Sequence, residues 1–295
     1  MSNAILSRLE RIYAVVESTF GVIPSFGNSS CIRHIKIQLD NDIATLVRKD
    51  KTGARTATVG VKGREFAKWT YEGSLAPSGV NGTAPDFDPF MQGLYGGPST
   101  AGGGGLVYGP FVDVPNVTIS IAQYRQPSTV NQRIGFGLVV DEANFKLGAD
   151  IAEWTCSGEG KFVIESDYFS VASTDEKGGL GSFPSEPGAP VTHGGIIAGF
   201  TGNFSLNGST VARIRTADIK VKTQNQMIKD TFGFYTPQDT MGDVRMVTLA
   251  ATMYEDDSAG QEAIRVLTTN KTPCDANITM GTVAGSIVNF YLHNV

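Results

Sequence analysis

The residues that most enzymes rely on are scarce in this chain. Its 295 residues include three histidines, three cysteines and two tryptophans. His34, His193 and His293 form no HxH or HExxH pattern, which argues against a histidine metal site. His34 reads instead as a half-buried strand residue. Cys31, Cys156 and Cys274 are odd in number and widely spaced, with no CxxC. They read as three buried thiols in a reducing compartment, with a disulfide or a metal site as the remaining readings. Neither Ser157 nor Ser166 sits in a GxSxG elbow. The run Gly102–Gly105 lacks a following Lys-Ser/Thr, so it reads as a mobile loop and not as a phosphate loop. The carboxylates of Glu255, Asp256 and Asp257, and those of Asp86 and Asp88, fall at expected strand or helix ends. Solvated caps are common there, and no DxDxDG-type calcium loop is present. No acid, base and nucleophile set converges, so neither an enzyme nor a cofactor is expected.

Charge is low as well. Asp, Glu, Lys and Arg make up 18% of the chain, with a net charge of −5 and a pI of about 5.3. A protein that grips phosphates shows a basic stripe, because counterion release drives that binding. Here Arg48, Lys49, Lys51 and Arg55 gather around one expected turn without interleaved aromatics. They read as a solvated hairpin tip or a charge contact with a neighbouring subunit. No run approaches the ~18 apolar residues of a membrane helix. Met1–Glu10 is polar, so no signal peptide is expected.

Glycine is what the chain has in excess, with 35 residues against a usual ~7%. Dispersed among many Thr, Val and Ile residues, and without a triplet period, it indicates a mainly β protein with many turns. Apolar spacing predicts a short amphipathic helix over 4–18, stopped by Gly21 and Pro24. Strands are expected at 32–39, 43–49 and 55–75, and a short helix over 86–95 after Pro85. The stretch 96–115 reads as a loop with a short β segment at 106–108. Further strands are expected at 117–124, 133–140, 151–157, 161–165, 199–205, 211–222, 244–254, 277–283 and 286–293, with a helical segment at 261–268. The Gly/Pro-rich stretch 173–195 reads as a linker. It divides an arm (1–30) and a first β domain (31–172) from a second (196–295).

The two halves repeat one order of events. A strand near Ile35 leads to the segment from Arg55, a helix near Phe87 and a strand at Asn116–Ile119. A strand near Ile214 leads to Arg245–Leu249, a helix near Ala263 and a strand at Asn277–Met280. This echo suggests two tandem copies of one β unit.

Two stretches carry a resemblance. Glu17-Ser18-Thr19-Phe20-Gly21 with Pro24 resembles the opening of phage tail tube proteins. Trp69–Gly96 is similar to that family's long strand, glycine-rich loop and short helix, through Ser78, Gly79, Gly82, Thr83, Ala84, Pro85, Asp86, Asp88, Phe90, Leu94 and Gly96. Weaker echoes lie at Ile151–Gly160, and at Val247–Leu249 with Asp256–Asp257. The resemblance touches most of the chain but is tight over about forty residues. It implies a tail-tube β-sandwich or barrel with a small helix, whose subunits join into stacked rings around a lumen. The implied protein is a structural virion component, assembled in the bacterial host cytoplasm into a viral tail. Its implied partners are itself, a tape measure protein, and tail terminator or tip proteins. DNA would pass the lumen without specific binding, which suits a net negative charge. The same resemblance makes Gly79, Gly82, Pro85 and Asp86 inter-subunit contact candidates, beside Arg48, Lys49, Lys51 and Arg55. The long segments 49–75 and 96–115 are candidate inter-ring contacts. If each chain holds two units, a ring is a homotrimer with pseudo-sixfold symmetry; otherwise it is a hexamer. The competing expectation is another virion or adhesion β-sandwich that binds a receptor or carbohydrate.

Overall fold

The computed structural model describes residues 9–46, 60–102, 105–109, 116–125, 131–169, 177–188, 194–211, 214–254, 259–270 and 272–293. In chain order the first elements are β1 (Glu10–Val16), β2 (Cys31–Ile32), β3 (Lys36–Leu46) and β4 (Val61–Ser74). Helix α1 (Asp88–Tyr95) follows, then the small hairpin β5 (Thr100–Gly102) and β6 (Gly105–Val107). Next come β7 (Ile119–Arg125), β8 (Arg133–Leu138), β9 (Glu142–Gly148), β10 (Glu153–Gly160) and β11 (Phe162–Glu165). The later part holds β12 (Asn203–Leu206), β13 (Ser209–Thr210), β14 (Ile214–Lys222), β15 (Gln226–Ile228), β16 (Asp239–Met241) and β17 (Met246–Met253). Helix α2 (Ala259–Asn270), β18 (Ala276–Met280) and β19 (Val288–Leu292) complete it. The protein is mainly β, as its turn-rich composition indicates.

Three sheets matter. One has the order β11-β8-β7-β1-β2, a second β17-β14-β9-β10-β4-β3, and a third β13-β12-β18-β19. In the six-stranded sheet every neighbouring pair is antiparallel. Alternation then sorts its side chains by face. Trp69, Tyr71, Phe145, Trp154, Ile219 and Val221 are buried on one face. Thr70, Lys146, Glu153 and Asp218, at the alternate positions, are half-buried or exposed on the other.

The main core lies between these sheets. Phe90 of α1 packs on Tyr71 at 4.7 Å and on Trp154 at 5.6 Å between ring centroids. The Trp69 indole N–H donates to the Val139 carbonyl at 3.0 Å, so the buried ring keeps its polar atom paired.

The first segment corrects one expectation. Residues 10–16 are not helical but form β1, paired along its length with β7. This strand is internal to its sheet and buried on both sides: Ile12 and Ala14 enter the main core, while Tyr13 enters a second one with Tyr124 and Phe136. Burial on both faces erases the period-2 signal and leaves an apolar run that mimics helical spacing. His34 is corrected too. It lies in the connection between β2 and β3, not in a strand, with its Nε2 3.4 Å from Glu10.

Residues 173–195 do not divide two cores. Strand β14, after this stretch, pairs with β9, before it, over seven residue pairs. One core cluster runs from Ile12 to Met280. The described part of the stretch is itself a cover: Leu180 and Phe183 pack on the outer face of the five-stranded sheet, and Glu186 pairs with Arg11 at 2.9 Å.

The two halves nevertheless share an order of elements. Strand β1, the hairpin β3–β4, α1, then β7 and β8 stand in the first half; β12, β14 with β17, α2, then β18 and β19 stand in the second. In each half the first strand pairs with the strand after the helix, and that strand pairs with the next.

Candidate assembly surfaces

Among the described residues the six-stranded sheet ends in two strands that pair on one side only, β17 and β3. Unpaired edges invite another chain unless they are blunted. Strand β17 is apolar yet exposed: Met246 is 51% accessible and Val247 40%. No charge interrupts its sequence MVTLAATM. Strand β3 carries Ile43 at 47% and Leu46 at 58%.

The polar face of the sheet is charged with both signs, and some of its charges are paired. Lys220 and Lys222 reach Glu142 at 2.5 and 3.4 Å, and Lys68 reaches Asp42 at 2.5 Å. Burial opposes ionisation of Glu142, but the two ammonium groups outweigh it and hold the carboxyl below its usual range. A face that carries both signs offers less net field to a passing polyanion than one of a single sign.

The structure draws Gly79, Gly82, Pro85 and Asp86 into one loop. Ser78 Oγ lies 2.9 Å from the carbonyls of both Val80 and Thr83. The Gly79 N–H donates to the Gly285 carbonyl at 3.0 Å, which ties the loop to the turn before β19. Gly79 and Gly82 have φ of 79° and 74°, in the left-handed region. Asp86 is not a solvated cap: its side chain is 6% exposed and faces Arg33 Nε at 3.3 Å. Asp88, in the first turn of α1, accepts from Gln92 at 2.6 Å and from the Tyr108 hydroxyl at 2.5 Å. Arg48, Lys49, Lys51 and Arg55 lie outside the described residues, as do His193 and Glu255–Asp257.

Glu17, first noticed within a motif, proves to be a structural hub. Its carboxylate accepts from the Gly21 N–H (2.9 Å), Thr118 Oγ1 (2.8 Å), Ser120 Oγ (2.6 Å) and the Gly137 N–H (2.7 Å). Gly21 and Gly137 have φ of 71° and 61°, a conformation that favours glycine. A Cβ at either would also press on Lys161 at 2.7 Å. Burial raises the Glu17 pKa, against the lowering effect of these bonds.

The hairpin β15–β16 was not expected from sequence. Lys229 beside it sits 3.6 Å from the Phe66 ring centroid and 2.6 Å from Glu159. Asp141 accepts from the Glu159 N–H at 3.1 Å, and its pKa is raised to about 7 by burial and by the Glu159 charge. A raised carboxyl pKa means that folding favours the protonated form. The stability Asp141 contributes is therefore full in acid and is lost as pH rises through about 7. Asp141→Asn should remove this loss. Thermal melting at roughly pH 5 and pH 8 checks it: the variant should gain stability relative to wild type at the higher pH.

Among the described residues no three His, Cys, Asp or Glu side chains cluster as a metal site. Cys31 and Cys156 are buried thiols, and Cys274 is half-buried. No protein-family model matches this chain, and no curated protein matches it either.

Proposed function

We propose that this chain is a structural, non-enzymatic subunit of a bacteriophage tail tube, built from two tandem β units. One observation carries the reading: an all-antiparallel six-stranded sheet with one apolar face, one polar face and two open edges. Six alternating strands leave β17 and β3 running in opposite directions. A rotated second copy that brings its β3 beside β17 continues the antiparallel alternation. Repeated head to tail, such contacts close into a ring. The polar face, with its charges of both signs, then lines the lumen, where DNA passes without being held.

The matching order and pairing of elements in the two halves support the tandem reading, and with it a ring of three chains. The tube would be a virion part, assembled in the host cytoplasm with tape measure and terminator or tip proteins. A second reading, a receptor- or carbohydrate-binding virion module, is favoured by one feature: Phe232, Phe234 and Tyr235 are exposed together, at 98%, 49% and 40%. Electron microscopy of the concentrated protein separates the two. Hollow tubes of stacked rings are the expected result; a binding module gives discrete particles.

A further inference from the structure

The outer face of the five-stranded sheet is covered by a stretch of chain that belongs to none of its strands. Residues 183–187 cross it without helix, turn or strand. Pro184 and Pro187 favour this extended course, because proline fixes its own φ at about −65° and keeps the residue before it out of the helical region. Beneath them Tyr13 of β1 and Tyr124 of β7 meet edge to face, with ring centroids 5.6 Å apart. The Tyr124 hydroxyl lies 3.3 Å from the Pro184 carbonyl and 3.4 Å from that of Ser185. The Tyr13 hydroxyl lies 3.5 Å from the Pro187 carbonyl. Arg11 sets the direction of the stretch through its 2.9 Å pair with Glu186. Aromatic rings lining a groove for an extended proline segment are how proline-rich peptides are recognised between proteins. The sheet is joined by its own ladders. Among the described residues, 177–188 share one backbone bond with the rest of the chain, from the Ile23 N–H to the Gly178 carbonyl at 3.3 Å. A segment held by so few backbone bonds opens at lower free energy than the ladders beneath it.

We propose that the Tyr13–Tyr124 face is a docking groove for an extended, acidic, proline-containing segment of a separate partner protein, and that residues 183–187 are an internal stand-in which that partner displaces. The charge of the groove fits such a segment. Arg11 stays 42% exposed while paired with Glu186, so an incoming carboxylate reaches it before the internal one leaves. The inference does not rest on the ring reading, because the groove lies on a different sheet from the β17 and β3 edges.

Two cysteines report on the groove. Cys31 is buried in the cluster of Tyr13 and Tyr124, and Cys156 in the main core. Each is labelled with a maleimide and followed by peptide mass spectrometry. Glu186→Lys sets two cations against each other. It should speed Cys31 labelling on the order of tenfold and leave Cys156 unchanged, because the covering stretch opens while the fold stays closed. A tethered segment competes at an effective concentration of about millimolar, so a free peptide is added to this variant and not to wild type. A fluorescent peptide of residues 180–188 should bind it saturably by anisotropy and slow Cys31 labelling again. The same peptide carrying Glu186→Lys should bind on the order of tenfold more weakly. Equal acceleration of Cys31 and Cys156 would show that the stretch leaves only when the whole fold does, and would overturn the proposal. An unchanged Cys31 rate in both Glu186→Lys and Phe183→Ala would overturn it as well. So would a peptide that fails to bind once Cys31 is freed, or that binds equally with lysine in place of glutamate. Wild-type dimers that the peptide dissociates would make a second copy the source of the segment and remove the separate partner.

Discussion

Placing one proline in the middle of β17 should abolish assembly while leaving the subunit folded. Along an antiparallel edge, successive residues point their N–H alternately at the partner strand and outward. Ala250 and Ala251 are adjacent and exposed. Of Ala250→Pro and Ala251→Pro, one therefore removes an N–H that bonds β14, and the other removes an outward N–H. The first should cost about 3 kcal/mol of stability. The second should cost far less, because edge strands tolerate proline on their open side. It should still deny a neighbouring copy one ladder bond and place a ring where that copy's backbone must come. Light scattering and thermal melting of the pair decide the point. One variant should melt like wild type and fail to assemble at concentrations where wild type is fully assembled. Assembly by both variants, or loss of assembly only in the variant that is also destabilised, would remove β17 from the interface.

Replacing Glu17 should destabilise the subunit more than its single carboxylate suggests. The Gly21 and Gly137 N–H groups are fixed by the backbone and cannot turn to new partners, whereas the Thr118 and Ser120 hydroxyls can. Glu17→Ala leaves both amides buried without an acceptor and opens a void. At about 1–3 kcal/mol for each orphaned donor, the loss should reach about 3–5 kcal/mol. Glu17→Gln keeps one accepting oxygen, but its amide group must face one of the two glycine N–H groups, so about 2 kcal/mol is expected. Urea unfolding measures both. A Gln variant as stable as wild type would show that the four bonds in the structure do not hold the turn. Those bonds join the turn after β1 to β7 and to the Gly137 backbone of β8. Their loss should therefore loosen the five-stranded sheet first.

The sequence made some of this architecture legible and concealed the rest for physical reasons. Helix α1 was readable because Pro85 precedes it and Gly96, at φ 85°, ends it, although it begins at Asp88, two residues later than expected. Strand β14 was readable because Ala217, Ile219 and Val221 alternate with polar residues on a sheet with one wet face. Strand β1 was misread because both its faces are buried, and alternation vanishes there. Strand β9 was missed because EANFKLG is weak in β propensity. Only Ala143, Phe145 and Leu147, at alternate positions, betray it. That omission concealed the main point of the fold, since β9 is the strand that joins the two halves into one sheet. Of the candidate contact residues, the Gly79–Asp86 group was legible as a glycine-rich loop. The cleft beside β17 was not legible, because its walls are residues that read singly as ordinary apolar positions of β17, α2 and β19. Glu17 could be singled out as part of a motif, but its four donors come from segments up to 120 residues away.

The central claim is that copies of this chain close into rings and stack into a hollow tube. End-on electron microscope views of the purified, concentrated protein test it most directly. They should show an open centre surrounded by three copies of the chain, with side views of regularly stacked rings. A uniform population of monomers at every concentration and salt condition would contradict it.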